Sequence, residues 1–108
     1  MNIEKFNELL EQRFEKTRNV LVVKNKEYGL DEDVLHSFRD QADMSMHNTP
    51  PAVAWELLVK HLYSIRRMVS EFEATGMPPT TALTDEKIGD AINYLVLIEA
   101  LFKRVSID

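Results

Sequence analysis

Thr84-Asp85-Glu86-Lys87-Ile88-Gly89-Asp90-Ala91-Ile92-Asn93-Tyr94-Leu95-Val96-Leu97-Ile98-Glu99-Ala100-Leu101-Phe102 is the run around which the chain is organised. Thr84 is a good N-cap, and Asp85 and Glu86 put negative charge in the first turn, where the helix dipole favours it. From Ile88 onward the run has no proline and is mostly apolar. It predicts a helix of roughly 20 residues, about 30 Å long at ~1.5 Å per residue.

At about 100° per residue, Glu86, Asp90, Asn93 and Leu97 fall on one narrow arc of that helix. Ile88, Ala91, Ile92, Leu95, Val96, Ile98 and Phe102 spread over nearly all the rest. A helix apolar nearly all round has to be covered by its own chain or by a second subunit. The acid-acid-amide line is therefore expected to be partly buried, and buried carboxylates require a cation, hydrogen-bond donors or a metal.

The remaining chain frames this helix. Its 108 residues are near the common domain size, so a single domain, 1–108, is expected. Hydrophobic content of 44% with 29% charged residues is ordinary for a globular chain. A net charge of −5 argues against a phosphate-backbone binder, so no nucleic acid partner is expected. The absence of cysteine removes disulfides and thiolate chemistry and fits a reducing compartment. Met1-Asn2-Ile3-Glu4-Lys5 does not read as a signal peptide, and Asp90, Asn93 and Glu99 interrupt the most apolar run, so no membrane span is expected. Cytoplasm is the expected location.

Ile3, Phe6, Leu9, Leu10, Phe14, Val20, Leu21 and Tyr28 share one side of a long first helix, with Gly29 as its terminator. Arg13, Thr17 and Lys24 interrupt that side; Lys24 either snorkels or offers its ammonium to an anion. Asp31-Glu32-Asp33 can cap a short second helix whose apolar side is Val34, Leu35, Phe38 and Ala42, with His36 facing away. Thr49-Pro50 marks the start of a third helix, threonine as N-cap and proline at N1, running to about Phe72 before Gly76. Ala54, Leu57, Leu58, Ile65, Met68 and Phe72 form its stripe, with His61 in the centre. Glu56, Lys60, Arg67 and Glu71 occupy the opposite face at ion-pair spacings. A turn-rich loop, 75–81, leads into the last helix. Three long helices and one short one with brief connections predict an all-α antiparallel bundle.

Polar groups interrupt the apolar faces of three helices: Lys24 with Tyr28, His61, and Glu86 with Asp90 and Asn93. They fit two readings. One is a ligand pocket between helices. The other is a buried cluster in which His61 pairs with Asp90 and Lys24 with Glu86, fixing helix register. Glu86 and Asp90, one turn apart, could share Mg²⁺, which takes one or two carboxylates plus phosphate oxygens and waters. Zinc has less support, because His61 has no close His or Cys partner. Gly-rich phosphate loops, G-x-S-x-G and C-x-x-C are absent.

Glu86-Lys87-Ile88-Gly89-Asp90-Ala91-Ile92-Asn93-Tyr94-Leu95 resembles the last-core-helix motif of the all-α, MazG-like nucleoside triphosphate pyrophosphohydrolase superfamily. With Lys24-Asn25-Lys26-Glu27-Tyr28-Gly29, Phe38 and Ala42, and Lys60-His61-Leu62-Tyr63-Ser64-Ile65, the pattern resembles small phage-encoded relatives of that group over roughly 20–102. The resemblance implies a MazG-like bundle, a homodimer or higher oligomer, a small-molecule nucleotide as partner, Mg²⁺ as cofactor and the cytoplasm of a bacterial host. Asp90 matches the final aspartate of the family's E-x-x-D motif. Lys87 stands where its glutamate is expected, with Glu86 one residue early. Glu56 is followed by Val59 and Lys60 where an E-x-x-E pair is usual.

The enzymatic reading makes Asp90 and Glu86 the metal ligands and, with His61, the catalytic candidates. Lys24, Tyr28, Asn93 and Lys60 are then the ligand-binding candidates. The alternative is a non-catalytic phage protein that sequesters a nucleotide signal or binds a host protein, the latter around Glu56, Lys60, Tyr63 and Arg67.

Overall fold

Caps and periodicity produce four helices and, among the described residues, no strand: α1 (Ile3–Tyr28), α2 (His36–Met44), α3 (Pro50–Thr75) and α4 (Thr81–Ile107). The computed structural model describes residues 1–28, 35–46 and 49–107, and of these the side chains of 24–28, 36–37 and 105–107 are not described. The expectations for Gly29, for the Asp31-Glu32-Asp33 cap and for the side chains of Lys24, Tyr28 and His36 lie outside the described residues. No helix of the described chain is long and apolar enough to cross a membrane. The chain divides into two units, Met1–Val34 and Leu35–Asp108.

The first unit carries α1. Its entry is capped by Asn2, whose Oδ1 accepts from the Lys5 N–H at 2.8 Å. Leu10, Arg13, Thr17, Val20 and Leu21 form a half-buried line at helical spacing. Phe6, Leu9 and Phe14 of the expected apolar side are nevertheless about half exposed.

The second unit is α2, α3 and α4. Leu35, Phe38, Val53, Ala54 and Leu101 are its buried core, with Ala42, Leu57, Tyr94, Leu97 and Ile98 packed against them. Buried groups near the start of α3 thus meet the end of α4, the pairing of an antiparallel hairpin. α2 begins at His36, with Leu35 at the N-cap position and no side-chain cap bond. Leu35 stands there for packing: it is 6% exposed.

α3 starts as its sequence predicts. The Ala52 N–H donates to Thr49 Oγ1 at 3.4 Å, and proline occupies the first turn. It ends at Gly76, whose φ of 72° is left-handed and whose N–H donates to the Phe72 carbonyl at 2.8 Å. α4 begins four residues earlier than expected. Thr80, not Thr84, accepts from a first-turn amide, the Leu83 N–H at 3.1 Å. Thr84 is already inside the helix and donates its hydroxyl to the Thr80 carbonyl at 2.9 Å. The connection is correspondingly short, running from Gly76 to Thr80.

Candidate functional site

The geometry of α4 turns its polar arc toward α3. Asn93 is buried and Asp90, Tyr94 and Leu97 are half-buried, whereas Leu95, Val96 and Phe102 on the far side are exposed. His61 projects from the packed face of α3 and meets this arc. Its Nδ1 lies 3.6 Å from Asp90 Oδ2, with the side chains 22% and 39% exposed. That separation is an electrostatic contact rather than a hydrogen bond.

Tyr94 sits one turn beyond Asp90, and its ring stacks on His61 with centroids 5.2 Å apart and planes inclined by 26°. Burial, and secondarily the Asp90 charge, push the Tyr94 phenol above its ordinary range. The hydroxyl therefore stays protonated and keeps its capacity as a donor. Sequence reading had placed Tyr94 within a motif but not in the site. The signal for it was its i,i+4 spacing from Asp90, which puts the two on one face.

Asn93 completes the group. It is 9% exposed, and its Oδ1 is buried with no hydrogen-bond partner among the described residues. Buried amide oxygens are nearly always paired, so this acceptor has capacity for a donor supplied from elsewhere. Gly89, one turn earlier, is also buried.

The other predicted residues are placed differently. Glu86 is 61% exposed and lies 3.9 Å from Lys87 Nζ, a lysine whose own side chain is only 26% exposed. Lys60 and Glu56 are exposed on the outer face of α3, as are Arg67 and Glu71, which stand 4.0 Å apart across one turn. Lys24 and Tyr28 have no described side chains. Of the pairings foreseen for a structural cluster, His61 with Asp90 is present, and Glu86 has Lys87 beside it.

Among the described residues no group of three or more His, Cys, Asp or Glu side chains is arranged to hold a metal ion. Asp90 and Glu86 offer two partly hydrated carboxylates one turn apart. That donor set fits Mg²⁺ arriving with phosphate oxygens and waters, and not a cage built wholly from protein. A cavity of about 280 Å³ lined by Met68, Met77, Pro79 and Leu83, among others, lies at the α3–α4 turn and is mostly apolar. Comparisons with protein-family models, with curated proteins and with solved structures find no match to this chain.

Proposed function

We propose that the chain is a nucleotide-binding protein of MazG-like type, engaging its ligand through His61, Asp90, Asn93 and Tyr94. The observation that carries the reading is the buried, unpaired Oδ1 of Asn93 beside the Asp90–His61–Tyr94 constellation. An amide acceptor suits an exocyclic amine or a ribose hydroxyl, which would reach the buried Oδ1 only if α3 and α4 part to admit it. The stacked rings give an apolar surface with a polar edge. In the Mg²⁺-dependent form, Asp90 and Glu86 would hold the ion, which would neutralise phosphate charge. Its donor set, two acids on one helix, favours binding over turnover.

The test is a thermal-shift screen of nucleoside triphosphates and cyclic nucleotides with and without Mg²⁺, with ligands recovered by chromatography. A ligand at ~100 times its dissociation constant adds about 2.7 kcal/mol to the folded state. Recovery of intact ligand identifies a binder; monophosphate with pyrophosphate identifies a pyrophosphohydrolase. Asp90→Asn is expected to abolish the Mg²⁺-dependent part of either signal while far-UV circular dichroism stays unchanged. A panel without any shift would overturn the reading and direct the search to protein partners.

A further inference from the structure

A lysine side chain normally keeps its charged end in water. Lys103 does so: it is 71% exposed and stands 3.0 Å from Glu99 on the surface of α4. Lys87, on the same helix, is only 26% exposed, whereas the adjoining Glu86 is 61% exposed. Helical register accounts for the difference. Lys87 shares a face with Asp90 at i+3, Ala91 at i+4 and Tyr94 at i+7. Ala91 is buried, and Tyr94 stacks on His61. A positive charge is therefore fixed on the packed side of α4, inside the acid line itself. Its Nζ lies 3.9 Å from Glu86 Oε1, an ion pair beyond hydrogen-bond distance.

We propose that Lys87 is the internal counter-ion of the Glu86–Asp90 line and keeps Mg²⁺ off it. Two carboxylates alone give a divalent ion two negative charges to neutralise; with the ammonium among them, only one is left over. Helix neighbours at this spacing stand about 6 Å apart. At that range a unit charge alters the affinity for a divalent ion by about tenfold, even at the dielectric of water. Nothing nearby offsets it, since no group of three or more potential metal ligands occurs among the described residues. Mg²⁺ also gives up its own waters reluctantly, so a weakened acid pair holds it poorly. The half-buried stem keeps the charge in place with little further loss of side-chain freedom. The inference deepens the nucleotide reading by selecting its metal-independent form and rests on that reading for the ligand, but its readout is the cation alone.

Mn²⁺ serves as the probe, because it takes the same oxygen donors as Mg²⁺ and broadens the NMR signals of groups close to it. The full chain is titrated at low ionic strength, where screening is weakest. The reading is the Mn²⁺ concentration that half-broadens the Tyr94 ring protons, which acids elsewhere on the chain do not affect. Lys87→Met keeps the stem and removes the charge; it is expected to lower that concentration by about tenfold or more. Circular dichroism should show unchanged helical content, and Lys87→Gln serves as the second variant if Lys87→Met misfolds. Lys87→Arg keeps the charge and should stay near the wild-type value. Adding Asp90→Asn to Lys87→Met should cancel the gain. Neutral variants that bind Mn²⁺ no better than wild type, or a gain in Lys87→Arg as large as in Lys87→Met, would overturn the proposal while leaving the nucleotide reading intact. A nucleotide panel without any shift would do the reverse, leaving the cation result standing.

Discussion

Asn93 is the residue whose chemistry conflicts most with its position. An amide oxygen buried without a partner costs about 1–3 kcal/mol, because its water has been lost and nothing has replaced it. Asn93→Leu, which keeps the branching and number of side-chain heavy atoms, is expected to raise stability by about 1 kcal/mol in chemical denaturation and to abolish the ligand-induced thermal shift. A loss of stability in that variant would instead make the amide a satisfied structural group. Tyr94 carries the pH consequence. Its phenol lies above the ordinary value of 10.0, first through burial and then through the Asp90 charge. The folded state thus favours the neutral phenol. This contribution is fully present below the unfolded value near 10 and is lost as pH rises through the folded one. Asp90→Asn removes the second cause, so Tyr94 should titrate lower. Tyrosinate absorbance, assigned by difference with Tyr94→Phe, reads this directly; an unchanged titration would show that the carboxylate does not act on the phenol.

Helix termini show where local chemistry decides an element and where it does not. Thr49-Pro50 and Gly76 were legible because each has one physical solution: a hydroxyl acceptor before a fixed φ, and a left-handed residue after the last turn. Gly76 has open space around the position a Cβ would take, so Gly76→Ala meets only backbone strain. Its expected cost is about 1 kcal/mol, measured by thermal or urea unfolding, with Gly76→Asn falling between alanine and wild type. A cost several times larger would mean that the turn holds packing beyond the cap. The start of α4 was less legible. Thr80 and Thr84 are both competent caps, and Asp85 and Glu86 favour the later one, since from Thr80 neither acid lies in the first turn; the helix nevertheless starts from Thr80. For α2, Leu35 holds the N-cap position without a side-chain cap bond and is buried in the core, a tertiary effect that local sequence does not announce.

Across the molecule, helix number, order and approximate bounds were readable from period and punctuation, as was the inward turn of Asp90 and Asn93. The pairing of His61 with Asp90 was readable as one of two alternatives, since both residues interrupt apolar stripes. Stacking of Tyr94 on His61 was not, because an aromatic residue in an apolar helix gives no sign of which neighbour it meets. The all-round apolar character of α4 called for cover, and Leu95, Val96 and Phe102 remain exposed. The exposure of Trp55, Val59 and Leu62 on the outer side of α3 went unread because they share a helix with a stronger inner stripe. That outer side has an optical consequence. The chain has one tryptophan, and it is Trp55. All indole emission therefore originates on the outer face of α3, while the His61 ring faces α4. Emission colour reports the polarity around that outer face without any label: red while water reaches the indole, blue once another surface displaces it.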